Sequence, residues 1–247
     1  MTDPVFLHEF AADPAVGDLV TLAGEEGHHA AAVRRIRVGE TVVLTDGNGR
    51  GIRGEVAAVD KRSLDVRVDE LLRAPRPPVR WVVAQALAKG GHDDQAIDMM
   101  TQAGVAEVVP WQSARAIVRW TGDRAAKGVE KWRRTVREAA KQSRRLWVPA
   151  VHDVVDTAGL AMLVASADAA YVLHESADRW LAGLDLPRAG SVLLVVGPEG
   201  GIAAEELDVL VAAGAVPVLV NDGVLRSSSA GIVGLAQAQA LVARANG

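Results

Sequence analysis

The residues of this chain best suited to holding a ligand are Gly197-Pro198-Glu199-Gly200-Gly201, directly after the uncharged run Ser191-Val192-Leu193-Leu194-Val195-Val196. A glycine has no Cβ, so a ligand can come close to backbone N–H and C=O groups. One or two glycines would suffice for a plain strand-to-helix turn; this loop has three. A glycine-rich turn at the carboxyl end of a buried strand is where α/β proteins bind ligands. Two more loops share that setting. His174-Glu175 follows Ala169-Ala170-Tyr171-Val172-Leu173, and Asn221-Asp222-Gly223-Val224-Leu225-Arg226-Ser227-Ser228-Ser229-Ala230-Gly231 follows Ala215-Val216-Pro217-Val218-Leu219-Val220. Asn, Asp and Gly make a turn there, and Ser227 or Ser228 can cap the helix that follows. Three such loops can converge on one ligand at the carboxyl edge of a sheet.

A second group of residues is electrostatic. From Arg115 to Arg145 there are eleven Lys/Arg and three Asp/Glu, so this stretch carries +8 in a chain of net charge −4. Lys131, Arg133, Arg134, Arg137, Lys141, Arg144 and Arg145 fall on one expected helix, where Glu130 and Glu138 are the acids within i+4 reach. Such a face does not neutralise itself and has the footprint expected for a polyanion partner. His28 or His29 with Arg34, Arg35 and Arg37 could touch phosphates too, or form a solvated helix face. Adjacent helical histidines point about 100° apart, and no ligand set at metal spacing accompanies them, so neither this pair nor His92-Asp93-Asp94 reads as a metal site. Asp46-Gly47-Asn48-Gly49-Arg50-Gly51 superficially resembles a dinucleotide fingerprint, but a strand follows it, which makes it a hairpin turn. No Walker A sequence is present, which argues against a P-loop nucleotidase.

These groups need elements to position them. Short alternating segments at 5–7, 18–22, 40–44, 51–56 and 64–68 read as strands, with one helix over 25–36. Three prolines in Pro75-Arg76-Pro77-Pro78 mark a linker after this small barrel-like region. Beyond it strands at 81–87, 107–110, 169–174, 191–196 and 215–220 alternate with helices at 93–103, 128–146, 203–213 and 228–244. Alternating βα units imply an α/β fold with a mostly parallel sheet and helices on both faces. The last helix is nearly all apolar, which fits core or a dimer interface.

With 247 residues, 49% of them hydrophobic, the chain can bury a sizeable core. It has no cysteine, which excludes disulfides and thiolate chemistry and is compatible with the cytosol. No apolar run approaches the roughly 20 residues of a membrane span, and Met1-Thr2-Asp3-Pro4 lacks the features of an export signal, so a cytoplasmic protein is expected.

Together these motifs resemble the SPOUT methyltransferases, most closely the RsmE family, over nearly the whole chain. Gly197-Pro198-Glu199-Gly200-Gly201 resembles the family's second signature, Leu225-Arg226 with Ala230 the third, and Leu173-His174 the first. Gln102-Ala103-Gly104-Val105, Ala139-Ala140-Lys141-Gln142-Ser143 with Arg145 and Val148-Pro149, and His28-His29 through Val33-Arg34 to Arg37-Val38-Gly39-Glu40 resemble further family stretches. One departure is chemical. The family has Thr-Glu-Thr after the arginine, and this chain has Ser227-Ser228-Ser229, so no general base can be carried over at that position.

The resemblance implies an N-terminal PUA-like RNA-binding β-barrel over 1–73 and a SPOUT α/β domain with a trefoil knot over 79–247, acting as a homodimer. It implies S-adenosylmethionine as cofactor, without a metal, held by Leu173, His174, Gly197, Pro198, Glu199, Gly200, Gly201, Val220, Asn221, Leu225, Ser227 and Ala230. Its implied substrate is the 16S RNA of the small ribosomal subunit, methylated at N3 of a uridine, with Arg226 as the catalytic residue and Glu199 or solvent hydroxide as base. His28, Arg34, Arg35, Arg133, Arg134, Arg137, Lys141 and Arg145 would grip RNA. Two alternatives stay open: a SPOUT enzyme acting on another RNA, and a non-catalytic RNA-binding or ribosome-assembly factor, which the triple serine motivates.

Overall fold

The computed structural model describes residues 3–246, with side chains to 245. The chain divides into two compact units, one of residues up to Arg76 with Ala140–Val148, the other of Pro77–Ala139 with the chain from Pro149 on.

In the first unit, β1 (Val5–Leu7), β2 (Leu19–Leu22), β3 (Thr41–Thr45), β4 (Arg50–Val59) and β5 (Leu64–Arg73) form one sheet in the order β1-β3-β4-β5-β2. β1 runs parallel to β3, and the other pairs are antiparallel. Alternate residues Val42, Leu44, Ile52, Val56, Leu64, Val66 and Val68 are almost wholly buried and pack with Phe6, Leu22 and Ala30, the period-2 pattern of a half-buried strand. The glycine-rich turn at 46–50 joins β3 to β4 as a hairpin, with Asp46 Oδ1 accepting from the amides of Asn48 at 2.7 Å and Arg50 at 3.1 Å.

The helix expected over 25–36 is shorter and irregular. α1 (Gly24–His28) passes into a π-helical turn over His29–Val33. Arg35, at φ 55°, turns the chain so that the amide of Ile36 bonds to Ala30 O at 3.1 Å. Ile36 thereby joins the core at 7% exposure instead of continuing a solvent helix. Residues 140–148, which the sequence placed with the later part of the chain, pack in this first unit. Trp147 Nε1 donates to Ala74 O at 3.0 Å, and Val148 N to Gly47 O at 2.9 Å. Gly49 has a φ of 88°, and a Cβ there would lie 2.5 Å from the Trp147 ring, so the close approach requires glycine.

In the second unit, β6 (Val79–Ala86), β7 (Glu107–Trp111), β8 (Ala150–Val151), β9 (Ala169–Leu173), β10 (Gly190–Val196) and β11 (Val216–Val218) form a parallel sheet in the order β11-β9-β10-β6-β7-β8. Central strands β6 and β10 are apolar almost throughout, as strands covered on both faces must be. Pro217 is tolerated because β11 is an edge strand. The helices are α2 (His92–Gln102), α3 (Asp123–Gln142), α4 (Thr157–Ser166), α5 (Ala204–Ala212) and α6 (Ser227–Asn246). α4 and β8 were not anticipated. α4 is too uniformly apolar to show a helical stripe, and its local signal is Asp156, whose side chain accepts from Gly159 N at 2.8 Å. α3 runs 123–142 where 128–146 was expected. Val129, Trp132, Val136, Ala139 and Ala140 do form its buried stripe. It stops because Arg144, at φ 56°, adopts the left-handed conformation that closes helix ends, and Arg145 N bonds back to Ala140 O at 2.9 Å. No helix among the described residues is long and apolar enough to cross a membrane.

Candidate active site

Parallel strands β9, β10 and β11 deliver their following loops to the same sheet edge, and a cleft of about 380 Å³ lies among them. Gly197, Pro198, Glu199, Gly201 and Ile202 after β10 form one wall. Leu173 and Glu175 at the end of β9 contribute another, and Val224, Leu225, Arg226, Ser227 and Ala230 a third. A smaller hollow beside it adds His174, Val220 and Asn221 and shares Leu173, Leu225 and Ala230 with the main cleft. The sequence-derived ligand residues therefore come together. Gly200 lines neither hollow; its carbonyl accepts from Arg115 Nη1 at 3.3 Å.

The walls are built by local rules. Gly201 has a φ of 72°, and its amide closes a turn on Pro198 O at 2.9 Å. At Gly197 a Cβ would sit 2.7 Å from Ile202 Cγ1, so the loop doubles back tightly over its own hydrophobic anchor. α5 begins with Glu206 folded back to the amide of Ala203 at 3.4 Å. The same carboxylate accepts from Ala114 N at 2.8 Å and Thr157 Oγ1 at 2.5 Å. Glu206, 7% exposed, thus ties the loop after β7 to the loop after β10. α6 starts at the cleft, where Arg226 O accepts from the amides of Ser229 and Ala230, each at 2.9 Å.

Two polar atoms behind the cleft have no partner. Ser227 Oγ and Gln85 Oε1 are buried without a hydrogen bond, while Gln85 Nε2 approaches Ser227 O at 3.5 Å. An unsatisfied buried polar atom is costly. Ser227 is among the residues lining the cleft, but its hydroxyl oxygen is itself buried. The ionisable side chains of the wall are His92, Glu175, Glu199 and Arg226.

Sequence reasoning missed His92, Ile202, Val224, Arg115 and Glu206, and did not assign Glu175 to the ligand. Glu206 had a visible signal, an acidic residue three positions into a helix. Val224 lay inside the loop already singled out, whereas His92 and Arg115 had no signal, because their positions depend on how separate loops meet.

The residues expected to grip RNA separate into groups. Arg133, Arg134 and Arg137 are exposed on α3, and Arg133 pairs with Glu130 at 3.6 Å and Asp153 at 3.9 Å. His28, Arg34 and Arg35 are exposed in the first unit, whereas His29 packs edge-on to Phe6 at 6.3 Å. Lys141 does not fit the expectation. Its side chain is 8% exposed and bonds Glu26 Oε1 at 2.8 Å, so it is a packing residue of the first unit. Arg145 is also partly buried, its Nε sealed off without a partner and its ionisation disfavoured by desolvation. The acids that neutralise part of the basic stretch, Glu26, Asp94 and Asp153, lie far away in sequence.

Residues 75–239 match the model of an RNA methyltransferase domain, and residues 22–69 that of an RNA methyltransferase PUA domain. Ribosomal RNA small subunit methyltransferase E of Mycobacterium bovis is 44% identical over 94% of this chain and 90% of its own length. The protein of that name in Bacillus subtilis is 29% identical over 87% of each. A protein from Legionella pneumophila, solved with the cofactor SAM bound, superposes with a TM-score of 0.86 at 26% identity, covering 97% of this chain and 98% of that one. The fold also matches ribosomal RNA small subunit methyltransferase E from Neisseria gonorrhoeae, with a TM-score of 0.86 at 24% identity and the same coverage. With a domain match over most of its length and a 44% identical relative along nearly all of it, this chain belongs to the ribosomal RNA small subunit methyltransferase E family.

Proposed function

We propose that this protein transfers a methyl group from S-adenosylmethionine to N3 of a uridine in the 16S RNA of the small ribosomal subunit. The observation that carries the reading is the cleft where the loops after β9, β10 and β11 meet, walled by the glycine loop and Arg226. The cleft fits the cofactor. Its glycine loop would offer backbone groups to an adenine, and Gly201 leaves room, the nearest atom to a Cβ there being 3.7 Å away. Leu173, His174, Gly197, Pro198, Glu199, Gly201, Val220, Asn221, Leu225, Ser227 and Ala230 would hold it, with Gly200 outside both hollows. Its sulfonium supplies an electrophilic methyl group.

The protein's task is then to produce and hold a nucleophilic nitrogen. Uridine N3 is a poor nucleophile while protonated, so charge stabilisation and alignment carry the reaction. Arg226, exposed in the cleft wall, would receive negative charge on the uracil oxygens. Glu199 and Glu175 are the carboxylates of the wall, and either could take the N3 proton, which offsets the missing family glutamate at Ser228. The exposed arginines of α3, and separately His28, Arg34 and Arg35, would contact RNA phosphates. A trefoil knot in the second unit, a homodimer, a metal-free reaction and a cytoplasmic site of action belong to the same reading.

The test is incubation of purified protein with labelled S-adenosylmethionine and small ribosomal subunits from cells lacking this activity, followed by mass spectrometry of the nucleosides. The expected product is 3-methyluridine. Cofactor binding without methylation of any RNA would instead make the protein a binding factor.

A further inference from the structure

The second unit holds another cavity, of about 390 Å³, which no part of the reaction above uses. Its rim carries Lys89 from the turn between β6 and α2, and Arg124, Lys127 and Lys131 from α3. The three α3 residues are spaced i, i+3 and i+7, which puts them on one face of the helix. Two acids share the cavity, and neither cancels this charge fully. Asp94 is paired with Lys131. Asp93 is 6% exposed and turned onto backbone, accepting from Asp94 N at 2.9 Å and Ala88 N at 3.4 Å. Lys89, Arg124 and Lys127 are exposed and make no ion pair among the described residues.

The wall is closely packed and the cavity adjoins the cleft. Trp120 and Trp132 pack edge-to-face with centroids 5.3 Å apart, 8% and 0% exposed, so they form a buried floor and not a stacking platform. Gly128 permits this, since a Cβ there would lie 2.5 Å from the Trp120 ring. The turn Gly90-Gly91 has φ values of 68° and 79°, which glycine adopts without strain. The next residue, His92, lines the candidate active site, while Gly91 and Asp93 on either side of it line the second cavity. One short segment is thus the shared wall of both.

We propose that this cavity binds the sugar–phosphate backbone of the substrate RNA beside the target base. The inference rests on the RNA-methylating reading and adds a site to it. A chain of nucleotides whose reacting base enters the cleft past His92 brings its adjoining phosphates to Lys89, Arg124 and Lys127. The charge excess and the lack of an accessible stacking face select backbone phosphate over bases.

The test compares wild-type protein with Arg124→Gln/Lys127→Gln and, as a control, Arg188→Gln, an exposed arginine just before β10 at the opposite end of its strand. Binding of a labelled single-stranded oligoribonucleotide carrying the target uridine is measured against salt, with cofactor affinity and steady-state methylation of small subunits. Each lost phosphate contact on a single strand lowers the slope of log K against log salt by about 0.7, so the double variant should fall by about 1.4 and the control not at all. KM for RNA should rise roughly tenfold, in keeping with two lost charge contacts, while kcat and cofactor affinity hold. A wild-type slope and KM in the double variant, with wild-type protein binding RNA normally, overturns the subsite alone. An equal loss of cofactor affinity overturns it as well, by assigning the cavity to the cofactor. Wild-type protein that binds and methylates no RNA overturns the underlying reading together with the subsite.

Discussion

Lys141 reaches Glu26 across 115 positions of sequence, with its amine 2.8 Å from the carboxylate and 8% of its side chain exposed. Breaking a buried pair strands a charge and costs about 3 kcal/mol. Lys141→Ala should therefore lower the urea midpoint clearly and leave the salt dependence of RNA binding unchanged in protein that is still folded. Removing exposed Arg133, Arg134 and Arg137 together should do the reverse, flattening that dependence at little cost in stability. A triple variant with the wild-type slope would make the face merely solvated.

Arg226→Ala should separate catalysis from binding. If the guanidinium meets charge that develops on the uracil, turnover falls by about 100-fold or more, the range seen when one charge-stabilising donor is lost. Cofactor affinity, measured by calorimetry, should change by less than about threefold. Comparable losses in both would assign Arg226 to the cofactor.

Glu206 has no place in the chemistry but holds the cleft together through Ala114 N, Thr157 Oγ1 and Ala203 N. Glu206→Ala leaves buried donors unpaired and should cost about 3 kcal/mol in a denaturant titration. Among the described residues the Arg115 side chain bonds to Gly200 O alone, so Arg115→Ala should weaken cofactor binding severalfold with little change in stability. A Glu206→Ala protein as stable as wild type would refute the bracing role.

Stability at low pH should depend on Asp168. Its carboxylate accepts from Ser191 N at 2.7 Å and Ser191 Oγ at 2.9 Å, and these bonds hold its pKa below the usual 3.8. A depressed native pKa contributes stability that is present above the unfolded value and is lost as pH falls through the folded one. Asp168→Ala should be less stable than wild type at neutral pH, and the two should converge below about pH 3.8. Denaturant midpoints across pH would show this, and a constant gap at all pH values would exclude the linkage.

Much of the fold was legible in the sequence because strand burial writes itself locally. The apolar runs of β6 and β10, the alternation of β3 to β5 and the glycine loop at 197–201 depend on neighbours in sequence. The ends of α3 were not legible, since a left-handed Arg144 carries no compositional mark. Nor was the second half of the helix at 25–36, where burial of Ile36 overrides helical continuation. The basic helix was overread for the same reason: its charges were counted along the chain, while Glu26, Asp94 and Asp153 neutralise some of them through space.

The sequence by itself determined the α/β class, the strand-end loops and the family, because each is carried by residue types at short spacing. Tertiary structure decided which of those residues share a cleft. His92, Glu175 and Arg115 stand beside the glycine loop only because parallel pairing of β7, β6, β10 and β9 brings their carboxyl ends to one edge. It also separated Lys141, sealed in the first unit, from Arg133 and Arg137 on the surface. Burial depends on contacts between distant segments, which local spacing does not encode.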